Sequence, residues 1–229
     1  VVHCVDRGNV YFCAAKGLEL NGRDFTSLVK GKALATGGFG GTPNSITRYL
    51  LKKWGLDAKN DITLVETANS AILAAVRGKQ AQIGCSTEPF ITQGVKQNVW
   101  GEPFFNVPKE LGPYAYSTIN IRLDSIKKEP EVVRGFVRGM VKGLKYLYAD
   151  KDGAAEVAKK QFPTMALEDL KATLDRSFAD SMWSPDGMIS REAWETGKAV
   201  VMGAGILKTD VKYDEIIDMS FADSVRATI

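Results

Sequence analysis

The sequence predicts an α/β protein built on a largely parallel sheet. Short apolar runs alternate with helical periods between residues 33 and 96. The junctions between them are brief and polar, as at Gly78-Lys79. Hydrophobic residues make up 45% and charged residues 25% of 229, the balance of a globular chain with a substantial core.

Two strand-like runs come first, residues 1–5 and 10–15, separated by Asp6-Arg7-Gly8-Asn9. Residues 24–29 read as a short helix leading into a strand at 33–36. A glycine-rich turn, Gly37-Gly38-Phe39-Gly40-Gly41, then delivers the chain into a helix over 43–54. Thr42 is its expected N-cap, Pro43 occupies the first helical position, and Gly55 ends it. Ile46, Tyr49, Leu50 and Trp54 give that helix its apolar face. Strand 62–66, helix 68–77, strand 82–86 and helix 90–96 follow in alternation.

Residues 102–113 carry three prolines and break the pattern, which makes 113 the expected boundary between domains. A strand-like run at 114–123 introduces a long helix with Pro130 in its first turn. Val132, Val133, Phe136, Val137, Met140, Val141, Leu144 and Leu147 line its expected apolar face. Helices over 153–161, 167–178 and 190–202 complete the chain.

A net charge of +3 is too slight for a nucleic-acid or anionic-membrane surface, so no nucleic-acid partner is expected. No apolar run is long enough to span a bilayer, and no secretory leader is recognisable at the start. Cys4, Cys13 and Cys85 have no metal-finger or CxxC spacing and read as free thiols in apolar segments. His3 is the single histidine, so neither a hydrolase triad nor a histidine-based zinc or iron site can be assembled. A buried core position is the expected role for it. No metal, cofactor or catalytic residue is assigned. Asp186 and Glu192 read as a turn and a helix start, not as an acid–base pair.

The glycine-rich turn fails the dinucleotide fingerprint, because the third glycine of GxGxxG would fall on Pro43. No GxxxxGK[ST] run occurs anywhere. What remains is a polar-group site at a helix start, or a structural turn whose hydroxyls only cap the helix. Three successive strands deliver Thr42, Asn44 and Ser45, then Thr67 and Asn69, then Thr87 and Glu88 to one sheet edge. Ligands of open parallel sheets sit beyond that edge. Glu88 reads either as a partner for a ligand amine or as first-turn helix charge. Tyr114 and Tyr116 are candidate cleft residues.

The order of several segments resembles a known family. Leu28-Val29-Lys30-Gly31-Lys32-Ala33-Leu34-Ala35, Trp54-Gly55-Leu56-Asp57 and Ala74-Ala75-Val76-Arg77-Gly78-Lys79-Gln80-Ala81-Gln82-Ile83 come in its sequence. Glu88-Pro89-Phe90, Pro130-Glu131-Val132-Val133-Arg134-Gly135-Phe136-Val137 and residues 213–221 continue it, with Gln82 where the family usually has Asp. Together they resemble the solute-binding proteins of nitrate-, sulfonate- and taurine-type ABC importers, the NMT1/THI5-like group.

That resemblance implies a type II periplasmic-binding-protein fold, two α/β lobes each with a central, mainly parallel sheet. Residues 1–15 and 114–229 would form lobe one and residues 16–113 lobe two. It also implies that lobe one lacks an opening stretch here, which would leave sheet edges unpaired and the chain prone to aggregate. The implied function is capture of a small polar solute (a sulfonate, taurine, nitrate or a pyrimidine thiamine precursor) by hinge closure, without catalysis. The implied partner is a membrane permease, and the implied setting is periplasmic or extracytoplasmic and membrane-anchored. A monomer is expected when the protein is complete. Gly41, Thr42, Asn44, Ser45, Thr67, Asn69, Thr87 and Glu88 would contact the solute, with Tyr116 and Ser117 at the hinge. The alternatives are a pyrimidine-precursor synthase on the same fold, whose cysteine-rich motif and neighbouring histidines are absent, or the sensing module of a regulator.

Overall fold

The computed structural model describes residues 2–20, 22 and 24–229. Strand β1 (Val2–Val5) opens it, and Val1, the first residue of the expected strand, lies outside the described residues. Strand β2 (Tyr11–Ala14) and helix α1 (Phe25–Val29) follow. Asp24 starts α1 by accepting the Ser27 N–H at 2.8 Å. Strand β3 (Ala33–Gly37), helix α2 (Thr42–Lys53) and strand β4 (Thr63–Thr67) match the expected alternation. The helix expected at 68–77 divides into a 3-10 turn (Asn69–Ala71) and α3 (Ile72–Arg77). Strand β5 (Ile83–Ser86) and helix α4 (Phe90–Lys96) complete the alternating region.

The proline-rich segment holds more structure than its composition indicates. A two-residue strand, β6 (Phe105–Asn106), runs into helix α5 (Val107–Leu111). Only the middle of the next expected strand forms, as β7 (Ser117–Ile119). Helix α6 (Leu123–Lys128) precedes the long helix α7 (Pro130–Ala149), then α8 (Lys151–Gln161) and α9 (Leu167–Ala179). Helices α10 (Arg191–Gly203), α11 (Tyr213–Ile216) and α12 (Ser220–Arg226) end the chain. No described helix is long and apolar enough to cross a membrane.

Packing divides the chain into two compact units. The first comprises residues up to Gly8, Leu111–Gly197 and Thr209–Ile229, and the second Asn9–Glu110 with Lys198–Lys208. The second unit is organised by a five-stranded sheet in the order β4-β3-β5-β2-β6. Strands β4, β3 and β5 run parallel, whereas β2 is antiparallel to both β5 and β6. Phe12 of β2 meets Phe25 edge-on at 5.0 Å, and Trp54 and Phe105 extend this aromatic core. Trp100 is 1% exposed, and its indole N–H donates to the Ile91 carbonyl at 3.1 Å.

The first unit carries a two-stranded antiparallel sheet, β1 with β7. Val133, Val137 and Val141 of α7 pack with Val2, Phe221, Ala222 and Val225. Val132 and Phe136, expected on the same apolar face, are 67% and 50% exposed. The reason is directional: β1 and α12 supply the partners that cover α7 on one side. His3 is fully buried here, its Nδ1 3.0 Å from the Met188 carbonyl, as a core position implies. Asp186 pairs with Arg226 at 2.7 Å.

None of Cys4, Cys13 and Cys85 is joined in a disulfide, and Cys4 is half-buried while the other two are buried. Burial pushes the Cys85 thiol up to about 12 and raises Cys4 as well, so neither carries much thiolate near neutrality. A thiol reagent at pH 8 is expected to leave Cys13 and Cys85 intact in the native protein and to label all three once guanidinium unfolds it. Immediate labelling of all three without denaturant would contradict this packing.

Candidate functional site

The parallel strands β4, β3 and β5 lie side by side, so their carboxyl ends share one edge of the second unit. Gly37, the last residue of β3, stands in register with Thr67, the last residue of β4. The three strand-to-helix junctions singled out in the sequence are therefore neighbours.

At the first junction the helix starts one residue earlier than expected. Gly41, not Thr42, occupies the N-cap position, and Pro43 follows Thr42 inside the first turn. Gly41 has extended backbone and its carbonyl accepts both the Ser45 N–H and the Ser45 hydroxyl at 2.9 Å. No side chain caps the helix; the Gly41 carbonyl takes the first intrahelical bond, and the Ser45 hydroxyl doubles it. The N–H groups of Thr42 and Asn44 have no acceptor among the described residues, as the start of a helix dictates. Gly40 has a φ of 85°, a conformation that favours glycine and lets the turn close.

Asn44 is 1% exposed, and its side chain is fully engaged. Its amide donates to the Gly37 carbonyl at 3.0 Å and to Glu66 Oε1 at 2.8 Å, and its oxygen accepts Arg48 Nε at 2.9 Å. Arg48 also donates to Glu66 at 2.6 Å. The Arg48 guanidinium, with the Asn44 amide second, holds the Glu66 carboxyl below its ordinary range. Asn44 therefore ties β3, β4 and α2 together. Beneath the turn, Thr47 donates to the Pro43 carbonyl at 2.8 Å and contacts Cys85 Sγ at 3.2 Å.

At the second junction Thr67 and Asn69 are half-buried. A Cβ added to Gly37 would lie 3.1 Å from Asn69 Oδ1 and 3.8 Å from Pro43 Cβ, so the carboxamide oxygen rests close against the Gly37 backbone. That oxygen is buried with no hydrogen-bond partner among the described residues. At the third junction Thr87 and Glu88 are each 8% exposed. The Glu88 carboxylate reaches onto the first turn of α4, accepting the Thr92 N–H at 3.1 Å and the Thr92 hydroxyl at 2.9 Å. The Asn9 side chain accepts the Glu88 N–H at 3.3 Å. Ser86, the last residue of β5, keeps a fully buried hydroxyl without a partner among the described residues.

Tyr116 and Ser117 belong to the first unit, where the Tyr114 and Tyr116 rings stand 5.8 Å apart and Ser117 pairs with Val5. Sequence reasoning missed Glu66, Arg48, Ser86, Thr92 and Phe39. The first four gain their roles from contacts that spacing does not reveal. Phe39 carried a legible signal, a lone aromatic between four glycines. Among the described residues no group of three or more His, Cys, Asp or Glu side chains is placed to hold a metal ion.

Residues 14–160 match the NMT1-like family. YtlA of Bacillus subtilis (strain 168), provisionally named a binding protein, is 22% identical over 203 residues. That match covers 86% of this chain, and the chain spans 59% of the length of YtlA. Among solved structures, the ligand-binding component of an ABC-type import system from Staphylococcus aureus, with zinc bound, superposes with a TM-score of 0.69 at 13% identity. The match covers 96% of this chain and 72% of that one. The alkanesulfonate-binding protein SsuA from Xanthomonas axonopodis pv. citri, bound to MOPS, gives a TM-score of 0.65 at 16% identity, with 91% and 69% covered. These likenesses carry the fold, that of type II periplasmic binding proteins.

Proposed function

The chain belongs to the NMT1-like family, and on that footing we propose that it is the solute-binding component of an ABC importer. Its cargo is a small polar molecule of the sulfonate, taurine, nitrate or pyrimidine class, its partner a membrane permease, its setting extracytoplasmic and its action capture by hinge closure without catalysis. One observation carries this reading: three junctions meet at one sheet edge, where, among the described residues, the α2 N–H groups of Thr42 and Asn44 have no acceptor and two buried polar oxygens, on Asn69 and Ser86, have no partner. Buried polar groups left unpaired are costly, and a ligand that supplies their partners would recover that cost.

Within the proposal, Gly41, Thr42, Ser45, Thr67, Asn69 and Thr87 face the solute. Asn44 and Glu88 act through the turn and helix that they hold. Donors dominate at the α2 start, which suits an acceptor oxygen of the ligand.

Calorimetric titration with ethanesulfonate, taurine, nitrate and 4-amino-5-hydroxymethyl-2-methylpyrimidine tests the reading. Saturable binding of at least one of them is expected, with a rise in melting temperature. Ligand at one hundred times its Kd stabilises by about 2.7 kcal/mol. Absence of heat and of a melting shift across the whole panel would overturn it.

A further inference from the structure

Phe39 stands at the tip of the glycine-rich turn and is 65% exposed. The other exposed large apolar side chains of the second unit are Met202 and Ile206, so among its described residues Phe39 is the exposed aromatic. The ring is not left to itself. The Arg48 guanidinium carbon lies 5.3 Å from its centroid, within cation–π range. Arg48 is in turn fixed by Asn44 and Glu66, at 2.9 and 2.6 Å. The network that ties β3 to α2 thus also positions the aromatic ring.

Two glycines on each side remove any neighbouring side chain from the turn, and a Cβ added at Gly38 or Gly40 would meet nothing within 4 Å. The result is a ring held by a cation, displayed in open space, three and five residues before the acceptor-less N–H groups of Thr42 and Asn44 at the start of α2. Such a ring adds little to the core. It does offer a π surface, which attracts a flat conjugated partner more strongly than a saturated one of equal size.

We propose that Phe39 is a specificity-determining residue, selecting ligands whose polar head is attached to a flat conjugated ring over saturated ligands with the same head. Arg48 is the positioning residue that orients it. The inference rests on the solute-binding reading above and adds to it the chemistry of the ligand's second half.

Benzenesulfonate and cyclohexanesulfonate share a head and a ring size and differ in planarity, so titrating the protein with each isolates the effect. Benzenesulfonate is expected to bind at least tenfold more tightly. Phe39→Ala and Phe39→Leu should erase that ratio and Phe39→Trp should keep it, with unchanged melting temperatures because the side chain is exposed. Equal affinity for the two sulfonates, or an equal loss for both in Phe39→Ala, would overturn the selection while leaving the binding reading intact. Binding of another member of the solute panel but of neither ring sulfonate would do the same. Binding of no compound at all would overturn both.

Discussion

Gly94→Ala is expected to destabilise the second unit by about 3 kcal/mol, the upper end of the usual cost of overpacking. A Cβ at this position would lie 2.1 Å from Trp100 Cε2 and 2.2 Å from its Nε1. The indole cannot withdraw. Its other edge already lies against Gly84, where an added Cβ would meet Cζ3 at 2.8 Å. Moving it would also break the bond from its N–H to the Ile91 carbonyl. The helix preference of alanine over glycine, about 1 kcal/mol, works in the opposite direction and is too small to compensate. Urea denaturation should show a lower midpoint at an unchanged slope. Adding Trp100→Leu to Gly94→Ala should cost less than the sum of the two single changes, because they share one clash. A loss below 1 kcal/mol for Gly94→Ala would show that α4 shifts freely over β5.

The second large effect concerns the turn itself. Asn44→Asp keeps the shape of the side chain but replaces its two donated hydrogen bonds with acceptor facing acceptor. The new carboxylate would confront the Gly37 carbonyl and the Glu66 carboxylate, now 3.0 and 2.8 Å from the amide nitrogen. The expected loss is about 2–3 kcal/mol at pH 7, the cost of an unsatisfied buried polar group with charge repulsion added.

Its pH dependence has a definite sign. Burial and the two facing acceptors raise the introduced carboxyl in the folded state above its unfolded value of about 3.9. Its penalty is therefore absent below that value and grows as pH rises toward the raised one. Glu66 in the parent protein behaves oppositely, being lowered by Arg48 and Asn44, so its contribution is present above about 4.3 and fades in acid. The first effect narrows the gap between variant and parent as pH falls from 7 to 4, and the second narrows it further only below about 4.3. A gap that stays constant over that range would refute the assigned hydrogen bonds.

How much was legible follows the range of the interactions. Strands β3, β4 and β5 and helix α2 could be read because each has its own period and its own punctuation, such as Gly55 with its φ of 71°. Strand β6 could not, since two residues have no period and Phe105–Asn106 becomes a strand only by pairing with Tyr11 and Phe12. The periodicity draws the α7 apolar face too broadly. Periodicity marks which residues are able to be buried, whereas the neighbours supplied by β1 and α12 decide that Val133 is covered and Val132 is not.

The sequence by itself determined the α/β alternation, the family resemblance and the three junctions from which a site would be built, because these depend on residues close along the chain. The tertiary structure alone decided what each junction residue does there. Asn44 is bound by Glu66, twenty-two residues away, and Glu88 folds back on Thr92, while Ser86 and Asn69 keep unsatisfied oxygens. Hydrogen-bond capacity is finite, and which partner claims it depends on distances in space that sequence spacing does not contain.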